Sequence, residues 1–147
     1  MKKKLWKIFV LLLLLGITAA CQPKTASLSA KAAWARPGSA GGNSAAYMIL
    51  QNPLDNPDAL VSASSDSADS VEIHMSSMDA NGTMMMRPAG PVELPAQSSV
   101  ELKPGGLHIM LIGLKDDLNT GGTITVTLQF EKAAPLTLEI PIQESAP

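Results

Sequence analysis

The chain has 147 residues, with 11 basic and 13 acidic side chains, one cysteine, eight methionines, two histidines and five aromatic residues. This length corresponds to one domain, and a single cysteine excludes an internal disulfide. Four of the basic residues lie within the first seven positions, which leaves 7 basic against 13 acidic side chains from Cys21 onward and a formal net charge of −6. Nucleic acid is therefore not expected as a partner, because binding a phosphate backbone requires Lys and Arg.

Residues 1–20 have the layout of a secretory signal peptide. A lysine-rich start precedes an apolar run of about a dozen residues, which is too short for a spanning helix because that needs about 20 apolar residues. We therefore exclude this segment from the predicted fold.

The apolar run ends in a sequence that resembles the lipobox of bacterial lipoproteins, Ile17-Thr18-Ala19-Ala20-Cys21. In a lipobox the cysteine is lipidated and becomes the mature N-terminus, so Cys21 is the predicted lipid attachment site. Thr18 stands where a lipobox usually has leucine, which leaves open ordinary cleavage that would keep Cys21 as a free thiol. A third interpretation is a membrane anchor that is not cleaved. Each of the three places the domain outside the cytoplasmic membrane, in the periplasm, and Gln22 after the cysteine fits onward sorting to an outer membrane.

Residues 21–30 are small and polar, as expected of a flexible tether, and residues 31–147 are predicted to form a single domain. Short segments there are bounded by turn signals such as Pro-Gly, Asn-Gly and Gly-Gly, and several alternate apolar with polar residues. The predicted strands are 31–36, 44–51, 59–64, 71–78, 83–87, 98–102, 107–113, 123–130 and 136–142. Because no segment has a helical period, the sequence predicts an all-β fold, an antiparallel sandwich or barrel.

Motifs of catalysis are missing from the sequence. No serine lies in a Gly-x-Ser-x-Gly turn, and the chain has neither a phosphate-binding loop nor a dinucleotide fingerprint. We therefore expect that the protein is not an enzyme.

Methionine and histidine occur together. Five of the eight methionines fall between residues 75 and 86, His74 directly precedes Met75, and His108 lies two residues before Met110. Residues i and i+2 of a strand point to the same face, so His108 and Met110 project together. The alternative interpretation is that the methionines fill gaps in the core.

The turn after residue 78 decides whether His74 and Met86 can join this pair. A two-residue Asn81-Gly82 loop would pair Ser77 with Met86 and place His74 on the opposite face. A three-residue loop of residues 80–82, with Gly82 in the left-handed position of a bulge, pairs Ser76 with Met86 and brings His74 and Met86 to one face. A metal site therefore predicts the bulged loop.

Two imidazoles and two thioethers form a neutral, soft set of ligands. Thioethers favour Cu(I), whereas imidazole alone does not distinguish copper from zinc. A blue-copper electron carrier needs a cysteine thiolate, which this set lacks. The set therefore suits the carrying of Cu(I) better than electron transfer.

The spacing of these residues resembles the motif H(M)-x10-M-x21-H-x-M of the periplasmic copper chaperone family PCu(A)C. In this chain the motif reads His74, Met75, ten residues, Met86, twenty-one residues, then His108-x-Met110. Further segments similar to the family extend the resemblance over residues 30–142. They are Trp34-Ala35-Arg36-Pro37, Ala46-Tyr47, Met86-Arg87-Pro88 and the run from Leu102 to Leu111.

The resemblance implies a cupredoxin-like Greek-key β-sandwich that binds Cu(I) through His74, Met86, His108 and Met110. Met75 occupies the variable position of the motif and is an accessory candidate, although its parity indicates core packing. We expect the other clustered methionines to pack or to form an apolar rim, and Trp34 to be a core aromatic.

The family also implies a role. Its members are implicated in supplying copper to the Cu(A) centre of cytochrome c oxidase, with subunit II or a Sco-type thiol protein as partner. The alternative is a lipoprotein that buffers copper for tolerance without a dedicated acceptor, since both roles need the same site. A structural lipoprotein without metal is the remaining hypothesis.

Overall fold

A computed structural model describes residues 26–147, which form ten β-strands and no α-helix within that range. The strands are β1 (Ser29–Ala35), β2 (Asn43–Asn52), β3 (Asp58–Ser64), β4 (Ala68–Met78), β5 (Met84–Pro88), β6 (Val92–Leu94), β7 (Ser98–Leu102), β8 (Leu107–Leu114), β9 (Thr123–Phe130) and β10 (Leu136–Pro141). All nine predicted strands are present. Strand β6 was not predicted, because it has only three residues and lies between Pro91 and Pro95.

The strands form two antiparallel sheets. One has the order β1-β2-β8-β4-β5, with β7 also beside β2, and the other has the order β10-β9-β3-β6. In β9, Val126 and Leu128 are buried while Thr127 between them is more exposed, so this strand turns one face toward the core. Met48 and Ile109 fill the core from the first sheet. The predicted antiparallel β-sandwich is confirmed.

A short loop joins β7 to β8 at one end of the first sheet. Both strands follow the same edge of β2, and residues 103–106 leave the sheet between them. The chain returns where the N–H of Lys103 donates to the carbonyl of Leu107 at 2.8 Å. Gly105, with φ of 77°, adopts the left-handed conformation that favours glycine. The loop thereby holds the Gly106 carbonyl beside the start of β8.

The buried carboxylate of Asp58 joins β3 to the connection between β9 and β10. Its Oδ1 accepts hydrogen bonds from the N–H groups of Ala59 (2.7 Å) and Lys132 (3.0 Å), and its Oδ2 accepts one from Ala133 (2.8 Å). Burial alone would raise the pKa of Asp58, but the three backbone hydrogen bonds and the charge of Lys132 outweigh it. The pKa of this carboxyl therefore lies below its usual value.

We expect the substitution Asp58→Asn to lower the free energy of unfolding at neutral pH by about 1–3 kcal/mol, because it removes a charged acceptor from buried N–H groups. A depressed carboxyl pKa contributes stability above the unfolded-state value, and that contribution is lost as the pH falls through the folded-state value. The difference from the wild type should therefore shrink at acid pH. Urea titrations at neutral and acid pH measure it, with the exposed Asp116→Asn as control. Equal destabilisation by the two variants would contradict the role of Asp58.

The predicted signal segment, residues 1–20, and Cys21 lie outside the described residues, as does half of the tether. Within residues 26–147 no helix has the length and apolar character needed to cross a membrane.

Candidate metal centre

The two histidines face each other across neighbouring strands. The register of β4 and β8 places His74 opposite His108, and their ring centroids lie 5.9 Å apart in an edge-to-face arrangement. Ile73 and Ile109, the neighbours in sequence, are buried in the core between the sheets. The histidines therefore lie on the outer face of the six-stranded sheet, as the predicted parity requires.

The turn between β4 and β5 has the predicted three-residue loop. The N–H of Asp79 donates to the carbonyl of Thr83 at 2.9 Å, and the N–H of Gly82 donates to the carbonyl of Asp79 at 3.1 Å. Gly82 has φ of 78°, the left-handed conformation expected of the bulge. Ser76 consequently pairs with Met86, which confirms the predicted register. His74 and Met86 are thus diagonal neighbours on one face.

Each imidazole is held by a hydrogen bond through one ring nitrogen. His74 Nε2 lies 2.8 Å from Oε2 of Glu72, and His108 Nδ1 lies 3.0 Å from the carbonyl oxygen of Gly106. Both partners are acceptors, so these nitrogens carry the protons. In the neutral rings, His74 Nδ1 and His108 Nε2 therefore present lone pairs.

Those two remaining nitrogens, His74 Nδ1 and His108 Nε2, are buried and have no hydrogen-bond partner. Unpaired buried polar atoms are uncommon in folded proteins, and each calls for an explanation such as an ion. Metal-binding histidines usually donate their second ring N–H to a carboxylate or a backbone carbonyl, as both histidines do here. The arrangement fits two imidazole ligands whose orientation is fixed in advance.

Methionines of β5 and β8 supply thioethers beside His108. His108, Met110, Met84 and Met86 line one cavity of about 420 Å³ on the outer face of the sheet. His108 is 3% exposed, whereas Met86 is 56% exposed, so the cavity is closed on the histidine side and open on the β5 side. Within residues 26–147 no group of three or more His, Cys, Asp or Glu side chains could hold a metal. A metal centre in this region therefore depends on the methionines.

Two aromatic rings lie beside the histidines. Trp34 and Tyr47 pair across β1 and β2 with ring centroids 4.7 Å apart, and the Tyr47 ring lies 6.3 Å from that of His108. Trp34 is buried, but it belongs to a separate cluster with Ala45 and Tyr47. The prediction that Trp34 is a core aromatic beside the first strand is therefore confirmed, although its cluster is separate from the main core. This cluster also forms an apolar wall of the site.

Among the other methionines, the prediction for Met75 is wrong, whereas Met78, Met84 and Met85 fit the predicted rim. Met75 has the opposite parity to His74, as predicted, but it is 40% exposed and does not pack in the core. Met78, Met84 and Met85 are also exposed and form a rim, while Met48 is fully buried. Every residue of β5 is exposed, so this hairpin extends beyond the part of the sheet that the core covers.

Sequence reasoning missed both partners that orient the histidines. Glu72 lies two residues before His74 and on the same face of β4, opposite Met110. This i−2 spacing was a signal that could have identified it. The role of the Gly106 carbonyl could not be predicted from residue spacing, because it depends on the conformation of the loop between β7 and β8.

The chain is similar to known proteins over most of the described residues. The family described as "Putative lipoprotein LpqE-like" matches residues 28–142. The protein "Putative lipoprotein Lxx21020" of Leifsonia xyli subsp. xyli is 34% identical over 113 residues, which cover 76% of this chain and 67% of the relative. Protein RP573 of Rickettsia prowazekii is 36% identical over 89 residues, which cover 60% of this chain and 49% of the relative, so the match spans about half of that protein.

Three solved structures share the fold. The apo PCuAC domain from PmoF1 has 29% identity and a TM-score of 0.69, with 81% of this chain and 95% of that domain covered. The copper-bound PCuAC domain from PmoF2 has 27% identity and a TM-score of 0.66, with 81% and 94% covered. The solution structure of CuI-DR1885 from Deinococcus radiodurans has 28% identity and a TM-score of 0.63, with 86% and 87% covered. The resemblance to PCu(A)C domains is confirmed.

Proposed function

The chain belongs to the LpqE-like family, and from that premise we propose that it is an extracytoplasmic metallochaperone that carries Cu(I) on His74, Met86, His108 and Met110. One observation carries this proposal: two buried imidazole nitrogens with lone pairs lack a partner, and one of their rings, that of His108, lines a cavity together with thioethers. The ring of His74 does not line this cavity, but it lies 5.9 Å from that of His108. A bound Cu(I) ion would give both nitrogens a partner. The copper-bound PCuAC domain and CuI-DR1885 among the similar structures support copper as the cargo.

The chemistry of the ligand set favours Cu(I) over other ions. Thioethers are soft ligands that select Cu(I), and they need no deprotonation to bind. The set contains no charged ligand. It contains no thiolate either, and therefore lacks the ligand that a blue-copper electron-transfer site requires.

The shape of the site suits release of the ion to another protein. The two imidazoles are held by Glu72 and Gly106 on the closed side, whereas Met86 lies at the open edge. An incoming ligand from an acceptor can therefore approach the ion from the Met86 side of the cavity. The ion would pass by ligand exchange, without a change of oxidation state.

We place the protein at a membrane surface in the periplasm, tethered through a lipid on Cys21 and with Gln22 directing it to the outer membrane where one exists. The names of the family and of the Leifsonia protein as lipoproteins support the anchor. The proposed acceptor is the Cu(A) centre of cytochrome c oxidase subunit II, reached directly or through a Sco-type protein. The protein is thus proposed to bind and deliver copper, not to catalyse a reaction.

The chaperone role predicts that copper leaves the loaded protein for its acceptor. When the Cu(I)-loaded protein is mixed with the copper-free soluble fragment of oxidase subunit II or with a Sco-type protein, we expect copper to appear on the acceptor after the two are separated by ion exchange. A fragment whose copper-binding cysteines are replaced by serine serves as the control. If copper stays on the loaded protein with every acceptor, the protein is a copper buffer and the chaperone role is wrong.

A further inference from the structure

Three methionines continue the outer face of the sheet beyond the site. Met78, Met84 and Met86 lie on the β4–β5 hairpin and share the face that carries His74 and Ser76. They are 70%, 50% and 56% exposed. The core does not need these side chains, and their exposure therefore calls for another explanation.

The register brings Met78 and Met84 close together. They are direct partners across the hairpin, next to the Asp79–Thr83 pair in which the N–H of Asp79 donates to the carbonyl of Thr83. Because hydrogen-bonded and non-hydrogen-bonded pairs alternate, Met78 and Met84 form a non-hydrogen-bonded pair, in which Cα atoms approach to about 4.5 Å. The N–H of Ala89, which donates to the carbonyl of Ile73 at 2.7 Å, fits the same alternation. Two flexible thioether side chains at this spacing can reach one ion.

Met86 connects this pair to the histidines. It follows Met84 by two residues on the same face of β5, and both line the cavity that contains His108 and Met110. Methionines therefore lie on this face of the hairpin from the cavity to its tip. The outermost of them, Met78, is 70% exposed, so this face leads from the proposed copper site to solvent.

We propose that Met78, Met84 and Met86 form a second Cu(I) position, through which the ion enters and leaves the histidine site. This inference rests on the proposed function. Thioethers alone suffice as ligands for Cu(I) and offer little to harder ions. Met86 belongs to both positions, so the ion moves outward while it remains bound to one ligand.

The proposed step exchanges ligands and nothing else. As Cu(I) moves outward, its bonds to His74, His108 and Met110 break, its bonds to Met84 and Met78 form, and its bond to Met86 persists. All of these ligands are neutral, so no proton or electron is transferred and copper remains Cu(I). A thiolate or thioether of the acceptor then takes the ion from the exposed tip.

The test first isolates the outer position. In the double variant His74→Ala/His108→Ala, we expect weaker but measurable Cu(I) binding that disappears when Met84→Leu is added. Met85→Leu is the matched control, because Met85 is the next residue of β5, 43% exposed, and faces the opposite side. Competition with a chromophoric Cu(I) chelator measures the Cu(I) affinity of each variant. If Met84→Leu and Met85→Leu have the same effect, or if the double variant binds no Cu(I), the outer position is wrong.

A second measurement follows the rate of release. With both histidines present, Met84→Leu is expected to slow the transfer of Cu(I) to the chelator by about ten-fold relative to Met85→Leu, an increase of about 1.4 kcal/mol in the barrier. Equal rates would overturn the relay. Failure of the proposed function has a different signature, since the wild-type protein would then bind no Cu(I), or would keep its Cu(I) in the presence of every acceptor protein.

Discussion

The substitution His108→Ala should lower the affinity for Cu(I) more than any other single change in the site. His108 Nε2 is buried and without a partner, and its ring is fixed by the hydrogen bond from Nδ1 to Gly106. Removing the hydrogen-bond partner of a metal-binding histidine lowers metal affinity by about 10–100-fold, so removing the histidine itself should lower it by more than about 100-fold. Competition titration with a Cu(I) chelator measures the effect.

Two controls separate loss of the ligand from loss of the fold. Circular dichroism and thermal unfolding of the copper-free protein should show that His108→Ala keeps the β-sandwich, because the ring borders an open cavity. Met85→Leu, on the opposite face of the hairpin, should retain the wild-type affinity. If folded His108→Ala binds Cu(I) as tightly as the wild type, His108 is not a ligand.

The second large effect is expected at Glu72, which does not touch the proposed ion. Its carboxylate accepts a hydrogen bond from the N–H of His74 Nε2, with 2.8 Å between nitrogen and oxygen, and thereby directs Nδ1 toward the site. We expect Glu72→Ala to lower the affinity for Cu(I) by about 10–100-fold. Glu72→Gln should lose less, since the amide oxygen still accepts the hydrogen bond although the charge is gone.

Glu101 provides the matched control for Glu72. It lies in the same sheet, is similarly exposed, and is paired with Lys103 at 2.9 Å instead of with a histidine. Glu101→Ala should leave the Cu(I) affinity unchanged, whereas the order wild type, Glu72→Gln, Glu72→Ala should be one of falling affinity. If Glu72→Ala and Glu101→Ala give the same affinity, Glu72 has no positioning role.

Local patterns in the sequence were sufficient for most of the fold. Turn signals and the alternation of apolar and polar residues in several segments identified nine strands, because most of these strands have one face in the core. The strand Val92–Leu94 was missed because three residues between prolines carry no period. Its position is set by pairing with β3, which is a tertiary effect.

The site was predictable to the extent that it depends on strand parity. The sequence left a two-residue and a three-residue loop open, and the requirement for a metal site favoured the bulged loop. This loop fixes the register that brings Met86 to the face of His74. The solvent exposure of the methionines could not be predicted from strand parity. Met75 was assigned to the core from its parity, but the hairpin extends beyond the core and leaves this residue in solvent.

X-ray absorption spectroscopy of the Cu(I)-loaded protein tests the proposed site most directly. One equivalent of Cu(I) should show a shell with both imidazole nitrogen and thioether sulfur, supplied by His74, His108, Met86 and Met110. The imidazole contribution should fall in His108→Ala, and the sulfur contribution should fall when Met86 and Met110 are both replaced by leucine. A shell without sulfur, or one that does not change in these variants, would contradict the proposed copper site.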